Sequence, residues 1–187
     1  ADMTSISEHD LVRAETVAMP IAALVLLLAF GTLAAAALPL VQAGMAVVLA
    51  MAIMLPIALA TDVSLFALNT TTLLGLGVSI DYSLFIVSRF REEIEHRPVD
   101  EAVATTVGTA GQAVAFSGMA VVIGLSALLL LPFGSLRSIG LGGFTVVTVA
   151  AALNVTFLPA VLGMLGPRIN AVRVIPRMRL SGAFWAG

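Results

Sequence analysis

Asp81 and Tyr82 are the residues of this sequence whose types and setting most clearly suggest chemistry. Asp81 is the only acid or base well inside any of the long apolar stretches. A carboxylate in hydrocarbon costs about 2.5–3.5 kcal/mol on insertion scales, so such a group is by default functional and turned toward a bundle interior or a wet path. Such a carboxyl group can load and release a proton, as a proton carrier must. Tyr82 adds a hydroxyl that can donate to a neighbouring carboxylate or pass a proton through water. The competing roles are a hydrogen-bonded packing anchor for Asp81 and an ordinary core or interfacial tyrosine for Tyr82.

The surrounding helix has to position this pair. Thr70, Gly77, Asp81 and Ser88 are separated by steps of seven, four and seven, which places them on one helical face. That face is small and polar, and Leu65, Phe85 and Ile86 are expected on other faces. Ser117 is a further candidate to line a cavity, against the alternative that it bonds its own helix carbonyl. Gln112 and Thr109 share a face and would line a wet entrance or join helices. Asn154 is expected to serve packing. Gly75-Leu76-Gly77 lies inside an apolar run with no preceding strand, so it fails the context of a dinucleotide loop and suits close helix contact instead. Gly140, Gly142 and Gly143 give either flexibility or close contact. His9 and His96 are isolated, unlike metal ligands. No Ser/His/Asp set converges, so neither an enzyme nor a cofactor is expected.

Composition sets the environment of these residues. The chain is 60% hydrophobic and 11% charged, less than half the roughly 25% charge of soluble domains. No charge occurs from Thr16 to Ala60, from Ala102 to Leu136 or from Ser138 to Pro167. About 20 apolar residues cross a bilayer, so the first run holds two crossings and each of the others one. The expected fold is an all-α polytopic membrane bundle of about five spans, near 17–36, 40–59, 66–88, 106–131 and 139–165. Leu38-Pro39 is the expected break of the first hairpin, and Pro56 and Pro159 are expected kinks. A polar tail occupies 1–15, a charged loop 89–101, and a basic membrane-surface segment 167–187. With no cysteine, disulfides and Cys-ligated metals are excluded within the chain. A net charge of −2 offers no basic surface for nucleic acid.

Seven of the nine arginines (89, 91, 97, 168, 173, 177, 179) fall on one side if the 89–101 loop is cytoplasmic. The positive-inside rule then places the N-terminus outside and the C-terminus in the cytoplasm. Arg89–Glu93 and Arg91–Glu95 are spaced i,i+4, as on a solvated helix end.

The run LLGLGVSIDYSLFIVSRFREEIEHR, Leu73 to Arg97, resembles the fourth transmembrane helix of the mycobacterial membrane protein large (MmpL) family of the RND superfamily. ALNTTTLLGLG before it and TAGQAVAFSGMAVVIGLSALLLLP after it carry the same resemblance. It implies that the five spans are helices two to six of a twelve-helix exporter, the first half of an RND-type transmembrane domain, with the polar tail ending a porter domain. The family's Asp-Tyr pair on helix four meets a matching pair on helix ten and relays protons inward. Those roles would fall on Asp81 and Tyr82, in the setting of a bacterial inner membrane. Beside them, Arg89 at the helix end is expected to tune release, and Gly77, Ser88, Gln112 and Ser117 are the candidates to line the cavity. The implied function is proton-motive-force-driven export of a lipid or other hydrophobic substrate. The implied partners are membrane lipid, that substrate and a second helix bundle carrying the matching pair. Two other readings remain at this point: a lipid-binding regulatory module like a sterol-sensing domain, or an inactive transporter fragment.

Overall fold

The computed structural model describes residues 20–61 and 63–171, and the chain is an all-α polytopic membrane helix bundle. Helix α1 runs Pro20–Phe30, α2 Leu33–Ala60 and α3 Leu65–Glu93. Helix α4, Val99–Thr106, continues through a π-helical turn, Val107–Gly111, into α5, Gln112–Ser126, and a 3₁₀ turn, Ala127–Leu130. Helix α6, Gly134–Val155, is followed by α7, Phe157–Leu165, and a 3₁₀ turn, Gly166–Asn170. The four long rods, Leu33–Ala60, Phe66–Glu93, Val99–Leu130 and Gly134–Asn170, are apolar and long enough to cross a membrane. The 28 residues of α2 reach about 42 Å at 1.5 Å per residue, ample for a hydrocarbon layer of about 30 Å.

The first hairpin differs from expectation. The chain breaks at Gly31, which adopts a left-handed φ of 66°, and Pro39 lies inside the continuous α2, with Pro56 late in the same helix as expected. A proline forfeits one helical hydrogen bond, which neighbouring helices in a membrane can absorb. A left-handed residue redirects the chain itself. The expected boundary between 36 and 40 therefore moves to 31–32. Pro159 does have the expected effect. It cannot donate to Val155 and crowds its carbonyl, and the helix is interrupted at Thr156 (φ −110°, ψ −64°) between α6 and α7. The charged run after Ser88 begins as a helix end, as the Arg89–Glu93 spacing implied, and α3 continues to Glu93. Helix α4 then starts after Pro98, with Asp100 and Glu101 in its first turn, where acids favour the helix dipole. The expected tail at 1–15 and the expected basic segment beyond Ala171 lie outside the described residues.

Helix α3 is the centre of the bundle, packing on α2 and α6, while α5 packs on α6. Small residues set these approaches, as is usual where lipid removes the hydrophobic drive between helices. A methyl group at Gly142 would lie 2.5 Å from Thr71 Oγ1 and 2.7 Å from the Ala67 carbonyl oxygen, and one at Gly75 2.6 Å from Val146 and 2.7 Å from Val47. Gly140 and Gly143 are likewise closed in by Leu125 and Leu128 of the α5 rod and by Leu74. Close contact, not flexibility, explains these glycines.

Polar ties gather alternate turns at opposite ends of the bundle. At one end Arg91 of α3 donates to the Phe30 carbonyl (2.8 Å) and to Asn170 Oδ1 (2.9 Å), with its guanidinium 5.5 Å from the Phe30 ring centroid. Beside it Thr32 Oγ1 donates to the Ile169 carbonyl at 3.1 Å. At the other end the Ser64 amide donates to Ser138 Oγ at 3.2 Å. The chain thus returns to the Arg91 end after α1, after α3 and after α7, as the span alternation requires.

Candidate functional site

Asp81 and Tyr82 lie in the second half of α3, and Ser117 on α5 faces them. Together with Phe85, Ala113 and Val114 they line an open cavity of about 240 Å³. The Tyr82 hydroxyl is 3.5 Å from Ser117 Oγ, with either atom able to donate. Among the described residues the Asp81 carboxylate makes no hydrogen bond or ion pair, and the residue is exposed. It faces outward from this bundle instead of into its interior, which is filled by the opposite face of α3.

The depth of this site follows from local sequence. Gly118 lets α5 approach α6, since a methyl there would lie 2.9 Å from Ala151 Cβ and 3.7 Å from the Tyr82 ring. That approach brings Ser117 within reach of Tyr82. The arrangement provides a carboxylate, a phenol and an alcohol around one apolar-walled pocket, a set suited to holding and passing a proton. It carries no cluster suited to a metal among the described residues.

The remaining candidates separate. Gly77 is one turn before Asp81 on the same exposed face and has open space around it. Ser88 lines a second, larger cavity of about 540 Å³ with Ala29, Phe30, Leu84, Arg91 and Glu92. Gln112 is exposed but does not border the Asp81 cavity. Thr109 donates to the Thr105 carbonyl of its own helix at 2.7 Å. Arg89 is engaged by Glu92 at 3.1 Å and Glu93 at 2.7 Å, and Arg97 also reaches Glu93 at 2.9 Å.

Phe85 corrects the sequence-based face assignment. It lies one turn after Asp81, is 59% exposed, and borders both cavities. Its i+4 spacing from Asp81 carried that signal. Ile86 lies on a different face from Asp81, as expected, and that face is the one buried in the core. Ala113 and Val114 offered no sequence signal, being apolar residues in an apolar helix.

Comparison with known proteins decides the family. The MMPL family model matches residues 1–187. The chain belongs to the MMPL family. It is 44% identical over 181 residues, 96% of the chain, to the trehalose monomycolate exporter MmpL3 of Mycolicibacterium smegmatis. It is 42% identical over 173 residues, 92% of the chain, to the MmpL3 exporter of Mycobacterium tuberculosis. The mycolic acid-containing lipids exporter MmpL11 of M. smegmatis is 40% identical over 167 residues, 89% of the chain. The chain spans 18% of each of these relatives. This MMPL chain is thus a multi-pass membrane segment similar to one part of larger transport proteins.

Proposed function

We propose that this segment supplies half of an intramembrane proton relay that drives export of a lipid or other hydrophobic molecule. Asp81 binds and releases the proton, and Tyr82, with Ser117, orients and passes it. The observation that carries this reading is the Asp81 carboxylate on a spanning helix, unpaired among the described residues and opening onto a cavity shared with Tyr82 and Ser117. A charge is retained at such a depth where function requires it. The uncovered face around Asp81 supports the reading that a second helix bundle with a matching acid packs there. The names of the MmpL3 and MmpL11 relatives support a lipid as cargo. In an inner membrane with the Arg91 end in the cytoplasm, one elementary charge moving inward yields about 2.3 kcal/mol per 100 mV, enough to bias a two-state helix rearrangement.

Lipid export from liposomes containing the full-length protein tests the coupling. Imposing a pH gradient should accelerate lipid movement in the wild type, and Asp81→Asn should lose that acceleration while still binding lipid. Lipid movement that ignores both the gradient and the substitution would remove the proton from the mechanism.

A further inference from the structure

Three buried side-chain atoms among the described residues lack a hydrogen-bond partner: Gln42 Nε2, Ser79 Oγ and Asn154 Oδ1. They belong to three different helices, α2, α3 and α6, and their residues are 1%, 0% and 0% exposed. An unpaired buried polar group typically costs about 1–3 kcal/mol, so three of them in one small bundle call for a shared explanation.

The helix register brings them within about one helical turn of each other. Gly142 lies against Thr71, and Gly75 against both Val146 and Val47. α3 and α6 run parallel, so one further turn from Gly75 puts Ser79 beside Ala150, and the next puts Ser83 beside Asn154. α2 runs antiparallel to α3, and the same step sets Ser79 against Ala43, the neighbour of Gln42. Asn154 Nδ2 donates back to the Ala150 carbonyl at 2.8 Å. This bond fixes the amide orientation and leaves Oδ1 as the open acceptor. Ser83 Oγ donates to the Ser79 carbonyl, so its hydroxyl is already engaged.

The open groups are complementary to a single small amphoteric molecule. Gln42 offers an N–H donor, Asn154 an acceptor, and Ser79 a hydroxyl that can do either. We propose that Gln42, Ser79 and Asn154 form an internal hydration site that holds one ordered water between α2, α3 and α6. A buried water usually makes about three hydrogen bonds to otherwise unsatisfied groups, which is the number on offer. The walls around it, Ala43, Ala46 and Ala150, are fully buried, so the water is isolated from lipid and from the Asp81 cavity. Its place on α3 is half a turn from Asp81 on the opposite side. The water therefore pins α3 to its neighbours at the depth of the carboxyl, whatever Asp81 itself does.

A density map of the full-length protein in lipid nanodiscs, at a resolution that shows ordered waters, reads this directly. The site predicts a density peak at about 2.7–3.2 Å from both Gln42 Nε2 and Asn154 Oδ1. Direct bonds among the three side chains, or no peak between them, would overturn it. Melting temperatures supply an independent arm. Gln42→Met and Asn154→Leu should each lower the midpoint by about 2–4 °C, because each strands the partners left behind. Combining them with Ser79→Ala should recover most of the loss, since no polar group is then stranded. Losses that simply add, or single variants as stable as wild type, count against a shared water.

Discussion

The two faces of α3 are built on opposite rules. Thr71, Gly75, Ser79, Ser83, Ile86 and Phe90 are buried against α2, α6 and the core, whereas Gly77, Asp81, Phe85, Ser88 and Glu92 form an exposed stripe at steps of four and three. Glycine shows the contrast best. Gly75 is walled in on two sides, but Gly77, two residues on, has nothing within 4 Å of where a methyl would stand. The packed face tolerates almost no added volume and fixes the helix. The open face carries the acid. A helix divided in this way can hold a side chain at a set depth while leaving its other face open, as the proposed second bundle requires.

Substitutions along this division should behave accordingly. The largest effect on folding is expected at the α3–α6 contact. Gly142→Leu would drive a side chain into the Ala67 backbone, which cannot give way as a flexible side chain would. Overpacking of this kind costs about 1–3 kcal/mol or more, so yield and melting temperature of the purified protein should fall sharply. On the open face Tyr82→Phe keeps the ring and removes the hydroxyl near Ser117. Proton-coupled transport is then expected to drop by roughly 100-fold, the lower range for a positioned proton-transfer group, with the melting temperature unchanged.

Glu93→Gln should have a smaller effect. Glu93 has an 11% exposed side chain between Arg89 and Arg97, which are 38% and 48% exposed. Solvent screening of those arginines limits the loss to about 1 kcal/mol, readable as a modest fall in melting temperature that shrinks further at high salt. Gly77→Ala is expected to leave stability within about 0.5 kcal/mol of wild type. Strong destabilisation of the 187-residue chain on its own would mean that its own helices already pack this face, and the contrast between the two sides of α3 would disappear.

Much of this site was legible in the sequence because polar residues in apolar runs stand out. Asp81, Tyr82 and Ser117 are such residues, and the structure gathers all three at one cavity. Phe85, Ala113 and Val114 share that cavity but look like any other lipid-facing or core residue, so sequence gave them no separate mark. The spans were legible from the charge-free runs, although the first hairpin was not. Pro39 looked like the stronger breaker, and Gly31, the residue type that suits the left-handed backbone turning the chain, is one of 16 glycines with nothing else to single it out. The Arg91 tie to Phe30 and Asn170 joins residues 61 and 79 positions apart, a pairing set by helix packing that no local spacing encodes. Gln42, Ser79 and Asn154 fall in the same class, since only the register of three helices brings them together.

The most direct test of the proton role is uptake of protons by liposomes containing the full-length protein under an imposed pH gradient, with wild type and Asp81→Asn compared at equal folded protein. The proposed relay predicts uptake in the wild type and none above background in Asp81→Asn, with both proteins melting at the same temperature. Uptake by Asp81→Asn at the wild-type rate would contradict it and take the proton path away from this face of α3.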